Sequence, residues 1–307
     1  MRLKLILNRN AGTLRGLDPD QAAAELVEIF RAHGHEATAE ALDGKSAIAA
    51  IEKECREGDS EVLVVGGGDG SISCAAAAAA KAGKTLGILP LGTMNLFSRS
   101  LGIPLEMKAA AEALAAGQKV AVDIGEVNGR YFVHHVTLGL HARMILVRKG
   151  LHYRSRLGKI GVSIRAWWMA VRDPPSLDAR IRADVKELQR RTAAILVTNN
   201  PLGEGHIPYA DDPRQGMFGL YVANSPRWHH LLNMALRMLF GSFSGNPLLD
   251  NWVAKEVDIA LTTPTVSASV DGEIVQLETP LRCRLHRGAL SVLKPRSQPS
   301  VAALSKR

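Results

Sequence analysis

A glycine-rich segment directly after an apolar strand is the part of the chain whose residue types best suit chemistry. It reads Gly66-Gly67-Gly68-Asp69-Gly70-Ser71 and follows the run VLVV (62–65). Glycines let the backbone turn sharply and approach an anion. Bare N–H groups and the positive N-terminus of the next helix can then bind phosphate oxygens. The segment therefore predicts a phosphate-binding loop.

Asp69 is unexpected in such a loop, because a carboxylate repels a bound phosphate. A magnesium ion or a donor hydroxyl between the two groups removes that repulsion. Asp69 therefore indicates metal-assisted phosphoryl transfer and is the predicted metal ligand. The alternative is a tight strand-to-helix turn in which Asp69 or Ser71 is the N-cap. The loop matches neither GxxxxGK[ST] nor GxGxxG with dinucleotide spacing, so neither of those mechanisms is expected.

A second polar loop, LGTMNLFSRSLGIP (91–104), follows the next apolar strand, TLGILP (85–90). Open α/β sheets bind ligands at the carboxyl ends of their strands, so this loop is expected at the same edge as the first. Gly92 and Thr93 would add a backbone and a hydroxyl donor to the phosphates. Asn95 is expected either to cap the next helix or to fix the loop.

The segment SVDGEIV holds Asp271 and Glu273 two residues apart around Gly272, late in a β-rich region. A carboxylate within hydrogen-bond reach of an attacking hydroxyl can accept its proton, which is the role of a general base. The same Asp-Gly pair is also typical of a hairpin turn with a solvated acid. The residues alone leave both interpretations open.

The elements that must position these residues alternate between strand and helix patterns over the first part of the chain. Such alternation predicts an open, doubly wound α/β domain over residues 1–120. After Gly117, period-two alternation around Asn128-Gly129 predicts a hairpin and the start of a mainly β domain over 121–285. Helical spacing recurs at Tyr153 to Val171 and Trp228 to Phe240, and the tail LRCRLHRGALSVLKP (281–295) is predicted as two more strands.

Composition bounds the class of protein. A length of 307 residues suits two domains. With no run of 18 or more apolar residues and no signal peptide, the protein is expected in the cytosol. Three cysteines without a CxxC pair support neither a disulfide framework nor a zinc site. The net charge of +8 implies a polyanionic partner, either nucleic acid, an anionic membrane surface or nucleotide phosphates.

The charge is concentrated in one basic stretch. From His141 to Arg172 there are six Arg, two Lys and two His and no Asp or Glu. Aromatic and aliphatic residues are interleaved with these cations, a composition that suits contact with an anionic bilayer. The alternative is a solvated face on a packed helix. No RNA- or DNA-binding motif accompanies the stretch, so nucleic acid is not the expected partner.

At these motifs the sequence resembles the diacylglycerol kinase catalytic-domain family, which includes sphingosine kinases and bacterial lipid kinases. The resemblance runs from Asn8-Arg9-Asn10-Ala11-Gly12, similar to the family's N-P-x-[SA]-G, through GGGDGS and LGTMNLFSRSLGIP to Asp271-Gly272-Glu273. GGDG alone is shared with NAD kinases and phosphofructokinases. Its combination with GTxNxF and LGIP is specific to lipid kinases.

The resemblance implies ATP and Mg²⁺ as cofactors and a lipid hydroxyl as the acceptor, met at the membrane surface by a cytoplasmic, peripheral enzyme. It implies an α/β nucleotide domain and a β-sandwich domain, with the C-terminal tail (286–307) returning to the first. Asp271 would be the general base, Glu273 a supporting acid and Asp123 a further acid near the cleft. Asn8 and Gly12 would join the phosphate loops in binding the nucleotide.

Two departures from the family pattern affect the site. Many bacterial members carry a D-x-x-D-G-x-L loop that holds a structural magnesium, whereas residues 210–218 here read ADDPRQGMF, with Gln215 in place of an Asp. A carboxamide is a poorer ligand for a hard cation, so the site is weakened or absent unless Asp211 or Asp212 substitutes. His134 and His135 stand where the family often has Asn.

Two other functions compete with the lipid kinase. One is a soluble NAD-type kinase that shares GGDG, and the other is a catalytically silent lipid- or nucleotide-binding protein. The sequence does not name the acceptor lipid, and it leaves homodimer formation open.

Overall fold

The computed structural model describes residues 1–149, 174–206, 209–225, 227–239 and 246–296. Clustering of its contacts divides the chain into two compact units, Met1–Ala121 with Leu290–Arg307, and Val122–Ala289. None of the described helices is both long enough and apolar enough to cross a membrane. The helix predicted over Tyr153 to Val171, and the basic stretch beyond Lys149, lie outside the described residues.

The first unit alternates strands and helices, as its sequence pattern predicts. Asp18 begins the first helix by accepting hydrogen bonds from the backbone N–H groups of Asp20 and Gln21 at 3.0 and 3.3 Å. In order, the elements are β1 (Arg2–Asn8), α1 (Pro19–Ala32), β2 (Glu36–Leu42), α2 (Gly44–Glu57), β3 (Val62–Gly67), α3 (Asp69–Ala82), β4 (Thr85–Pro90), α4 (Leu96–Ser100) and α5 (Met107–Ala115).

These four strands form a parallel sheet in the order β2-β1-β3-β4. Every residue of β3 and β4 is buried, which explains their continuous apolar runs. The register pairs Gly67 with Pro90, so the carboxyl ends of β3 and β4 meet at one edge. The end of the last strand of the chain adds to β4 in parallel, with Val292 opposite Leu86.

The second unit is mainly antiparallel β. Strand β5 (Gln118–Val127) enters it from the first unit and turns back into β6 through Asn128 and Gly129, both at positive φ. The elements that follow are β6 (Arg130–Phe132), β7 (His135–Gly139), α6 (Leu140–Lys149), β8 (Leu177–Ala183), β9 (Lys186–Thr192), β10 (Ala194–Asn199), β11 (Phe218–Ala223), α7 (Trp228–Leu239), β12 (Leu249–Ala254), β13 (Glu256–Leu261), β14 (Thr265–Val270), β15 (Glu273–Glu278) and β16 (Leu281–Lys294).

Two antiparallel sheets build this unit. One has the order β12-β11-β10-β7-β14-β15, and the other contains β13 between β8 and the first half of β16, with β9 outside β8. One core cluster contains side chains from both sheets, including Leu138 and Val197 from the first and Ile181 and Ile259 from the second. The α/β plus antiparallel-β fold class predicted from the sequence is therefore confirmed.

One element prediction differs from the structure. The tail is one continuous strand, β16, rather than two strands, because Gly288 is accommodated at a φ of 62° without ending it. The run 179–200, in contrast, is divided by turns into most of β8 and the whole of β9 and β10. Its first turn is at Asp184, whose φ is 51°, a conformation that Asp tolerates better than most residues.

Candidate active site

The glycine-rich loop lies where β3 ends and α3 begins. The N-cap of α3 is Gly68, which brings no side-chain acceptor, and the first backbone bond of the helix runs from Ile72 N to Gly68 O at 3.1 Å. The N–H groups of the first helical turn have no acceptor within the helix, which makes this end a ready anion site. The loop is a tight strand-to-helix turn, but its N-cap is Gly68 and not Asp69 or Ser71.

The glycines of the two loops differ in the space around them. A Cβ on Gly92 would lie 2.6 Å from Gly68 Cα, and one on Gly67 would lie 2.7 Å from Ser71 Cβ, so close packing excludes a side chain at both. A Cβ on Gly70, in contrast, would meet nothing within 4 Å. Its missing side chain leaves open space beside the first turn of α3.

Asp69 joins the two loops. Its Oδ1 accepts the backbone N–H of Leu96 at 2.7 Å, and its Oδ2 accepts that of Asn95 at 3.1 Å. These are orphan donors at the start of α4, so Asp69 caps the neighbouring helix rather than its own. The carboxylate predicted as a metal ligand thus also fixes the second loop against the first.

Asn95 fixes the second loop from within. Its φ is 51°, and its side chain bonds back across the turn: Oδ1 accepts Gly92 N–H at 2.9 Å, and Nδ2 donates to Gly92 O at 3.0 Å. It is the N-cap residue of α4, but its side chain does not cap the helix. Of the two roles predicted for it, the structure shows the loop-fixing one. Thr93, which lies between Gly92 and Asn95 in the sequence, is exposed.

The end of β1 contributes a third polar group to this edge. Asn8 Nδ2 donates to Ser71 Oγ at 3.2 Å, and Asn8 Oδ1 accepts Asn10 N–H at 3.0 Å. Asn8 therefore orients the serine hydroxyl in the first turn of α3. Gly12 follows in a short 3₁₀ turn, where Thr13 N donates to Leu91 O at 3.1 Å.

In the second unit, Asp271 sits in the two-residue turn between β14 and β15. Asp271 and Gly272 both have positive φ, as in a type I′ hairpin. The carboxylate is not solvated, however, because Asp271 is only 7% exposed. It accepts three backbone N–H groups at 2.8–2.9 Å, from Val133, His134 and His135. Glu273, its predicted supporting acid, is exposed one residue beyond the turn.

Two of the backbone donors to this carboxylate belong to His134 and His135, and a third histidine, His141, contacts His135. Burial lowers the pKa of His135 to about 3, with Asp271 acting in the opposite direction, so His135 is neutral at physiological pH. The rings of His135 and His141 meet edge to face at 5.8 Å, and His141 Nδ1 lies 2.9 Å from the Thr137 hydroxyl. A neutral imidazole, that of His135, therefore lies next to the Asp271 carboxylate.

Asp123 is buried, with 3% of its surface exposed. Its Oδ2 accepts Gly216 N–H at 2.8 Å and its Oδ1 accepts Gly288 N–H at 2.9 Å. Asn199 connects it to the Asp271 cluster, because Asn199 Nδ2 donates to both Asp123 O and Val133 O. Sequence reasoning missed Asn199, although a polar pair directly after the apolar strand LVT is a detectable signal.

The loop that resembles the family's magnesium loop does not fit a divalent cation. The carboxylate of Asp212 is paired with Arg214, and that of Asp211 with His206. Gln215 supplies an amide N–H that points to Asp212 O, 3.4 Å away, rather than an anionic ligand. Among the described residues, no group of three or more His, Cys, Asp or Glu is arranged to hold a metal.

Comparison with known proteins agrees with these motifs. The family model of the diacylglycerol kinase catalytic domain matches residues 2–127. A diacylglycerol kinase of Bacillus subtilis (strain 168) is 31% identical over 225 residues, 70% of this chain and 73% of its own. One of Staphylococcus carnosus (strain TM300) is 29% identical over 283 residues, 89% of this chain and 88% of its own.

A solved structure has the same fold. The crystal structure of a diacylglycerol kinase from Bacillus anthracis str. Sterne superimposes with a TM-score of 0.71 at 19% identity, and the match covers 98% of both chains. The family model and the sequence relatives show that the chain belongs to the diacylglycerol kinase catalytic-domain family, a family of lipid kinases.

Proposed function

We propose that this chain is an ATP-dependent lipid kinase that transfers the γ-phosphate of ATP to a hydroxyl of diacylglycerol or a related lipid alcohol. The observation that carries the proposal is the N-terminus of α3. It has no side-chain cap, open space beside Gly70 and a second loop anchored to it by Asp69. Such an end binds phosphate groups through backbone N–H donors and the helix dipole.

The chain's own residues divide the work of the transfer. The first turn of α3, with Gly92 and Thr93, would bind the phosphates, and Asn8 would orient the Ser71 hydroxyl toward them. Asp69 would hold the nucleotide's magnesium, since a carboxylate oxygen is a ligand that this hard cation prefers. The magnesium would neutralise charge that develops on the transferring phosphoryl group.

The acceptor side belongs to the second unit. Phosphoryl transfer breaks the bond from the γ-phosphorus to the ADP oxygen and forms one to the lipid oxygen, and the hydroxyl proton must leave. We assign its acceptance to Asp271, with Glu273 in support. The three backbone N–H groups on Asp271 hold the carboxylate in one orientation, which a general base requires.

The test is transfer of label from γ-labelled ATP by the purified full-length chain, offered a total lipid extract in mixed micelles or NAD. We expect label in a lipid, whose identity mass spectrometry then gives, and none in NAD. Asp69→Asn, prepared in parallel, should lose the activity and so exclude a contaminating kinase. Label in NAD alone would replace the proposal with a soluble NAD-type kinase. Nucleotide binding without transfer to either would favour a silent binding protein.

A further inference from the structure

The loop of residues 210–217 contains a cation of its own. In sequence it keeps the first carboxylate of the family's D-x-x-D-G-x-L loop, as Asp212, and replaces the second by Gln215. Arg214, between them, folds back on Asp212. Its Nε donates to Asp212 Oδ1 at 2.9 Å and its Nη2 to Oδ2 at 3.3 Å. This is the two-point geometry in which a guanidinium matches a carboxylate.

The backbone of the loop is fixed by direct hydrogen bonds. Asp212 Oδ1 also accepts Arg214 N–H at 3.1 Å, and Asp123 N donates to Pro213 O at 2.9 Å. Gly216 N–H lies 2.8 Å from Asp123 Oδ2 and 3.2 Å from Asn200 Oδ1. Direct hydrogen bonds therefore already fix the turn that a bridging cation would otherwise hold.

A second guanidinium covers the far end of the loop. A Cβ placed on Gly216 would lie 2.6 Å from Nε of Arg287, so that side chain lies directly against the loop backbone. Gly216 has a φ of 70°, which favours glycine independently of this contact. Two guanidinium groups thus lie beside a loop with carboxylates at 211 and 212, and they supply the positive charge that a metal would supply.

We propose that Arg214 takes the place of a divalent cation in this loop, so that the second unit folds and keeps its loop geometry without magnesium. Gln215 completes the exchange, because a carboxylate at that position would compete with Asp212 for the guanidinium. The proposal concerns the loop alone. It does not depend on the kinase assignment or on the magnesium that accompanies ATP.

The first experiment uses the wild-type chain without nucleotide. Its thermal unfolding midpoint is measured in EDTA and in millimolar MgCl₂ at matched ionic strength, and we expect no difference between the two. A rise in magnesium that Asp212→Asn abolishes would overturn the proposal. This comparison decides the question even if every loop variant described below fails to fold.

The second experiment converts the loop. The double variant Arg214→Ala/Gln215→Asp removes the internal cation and restores the missing carboxylate, so it should melt several degrees below wild type in EDTA and regain most of that loss with magnesium. Arg180→Ala, which removes the exposed pair of Arg180 with Glu187 in the same unit, is the control and should melt alike in both buffers. If the double variant folds but neither magnesium nor calcium raises its unfolding midpoint, the proposal that Arg214 replaces a cation is contradicted.

Discussion

Each aspartate of the candidate site accepts hydrogen bonds from backbone N–H groups and so fixes a segment of the main chain. Asp69 accepts two N–H groups of the second loop, Asp123 two glycine N–H groups and Asp271 three consecutive ones. Hydrogen bonds to a charged acceptor contribute about 1.5–3 kcal/mol each, so these carboxylates stabilise the loops that carry the site. Their replacement will therefore change stability as well as turnover.

The roles of Asp271 and Glu273 can be distinguished by comparing stability and turnover in variants of each residue. In Asp271→Asn the new amide hydrogens face a buried N–H donor, which should cost about 1–3 kcal/mol of unfolding free energy and a large part of the turnover. Glu273→Gln changes an exposed side chain and should leave the midpoint within about 0.5 kcal/mol of wild type, while turnover falls less than in Asp271→Asn. Denaturant unfolding and lipid phosphorylation by each variant are the measurements.

The result that would end the assignment of Asp271 as the base is wild-type turnover in Asp271→Asn, whatever its stability. A loss of turnover in Glu273→Gln greater than that in Asp271→Asn would move the base to Glu273.

At this scale the sequence indicates candidate residues but not what they touch. GGGDGS and its helix identified Asp69, but its partners Asn95 and Leu96 are 26 and 27 residues away. Periodicity and local spacing carry no information on such a pairing, because it depends on two strand ends meeting. For Asn95 the loop-fixing role could be proposed because Asn tolerates positive φ and its side chain can bond to nearby backbone.

At the scale of elements, the candidate phosphate site is two loops that follow neighbouring parallel strands. The two loops contain glycines of two kinds. Close packing excludes a side chain at Gly67 and Gly92, whereas Gly70 has open space beside it. The distinction was not available from the sequence, in which the glycines look alike. It follows only once Gly92 is known to approach Gly68.

Alanine at Gly92 should lower the stability of the fold, whereas alanine at Gly70 should spare the stability and weaken ATP binding. Gly92→Ala places a methyl group 2.6 Å from Gly68 Cα, so overpacking should cost about 1–3 kcal/mol of unfolding free energy and disturb the loop. Gly70→Ala meets no neighbour and lies in the first turn of α3, so the fold should be as stable as wild type or slightly more so. Its methyl group should nevertheless weaken ATP binding, measured by calorimetry, because it fills the open space. ATP affinity unchanged in Gly70→Ala would place the phosphates elsewhere.

At the scale of the molecule, we propose that exposed apolar side chains in the second unit contact a membrane. In α7, Trp228 and Leu236 are 46% and 48% exposed, and in α6, Leu146 is 44% exposed. Leu231 of α7 and Met144 of α6 pack in one cluster beneath them. The sequence has no Asp or Glu from Pro213 to Leu249 or from His141 to Arg172, so an anionic bilayer is the partner that the charge favours.

Vesicle binding tests this surface. Trp228→Ser/Leu236→Ser should reduce cosedimentation with vesicles containing anionic lipid, and activity on them, while a short-chain soluble acceptor is phosphorylated as by wild type. Val185→Ser is the matched control, since Val185 is a 98% exposed apolar residue in the turn between β8 and β9 and should change neither. If the double variant cosediments as wild type does, or if it changes only from dimer to monomer, α7 does not contact lipid.

The last strand has a consequence for how the protein is made. Its final residues complete the sheet of the first unit, where Val292 pairs with Leu86 and the Ser291 hydroxyl lies 3.0 Å from that of Thr85. More than 160 residues of the second unit are synthesised between the two strands. β4 therefore keeps an unpaired edge from its own synthesis until the second unit has been made, and an unpaired edge can join another chain. The first unit acquires its last strand only after the second unit has been synthesised.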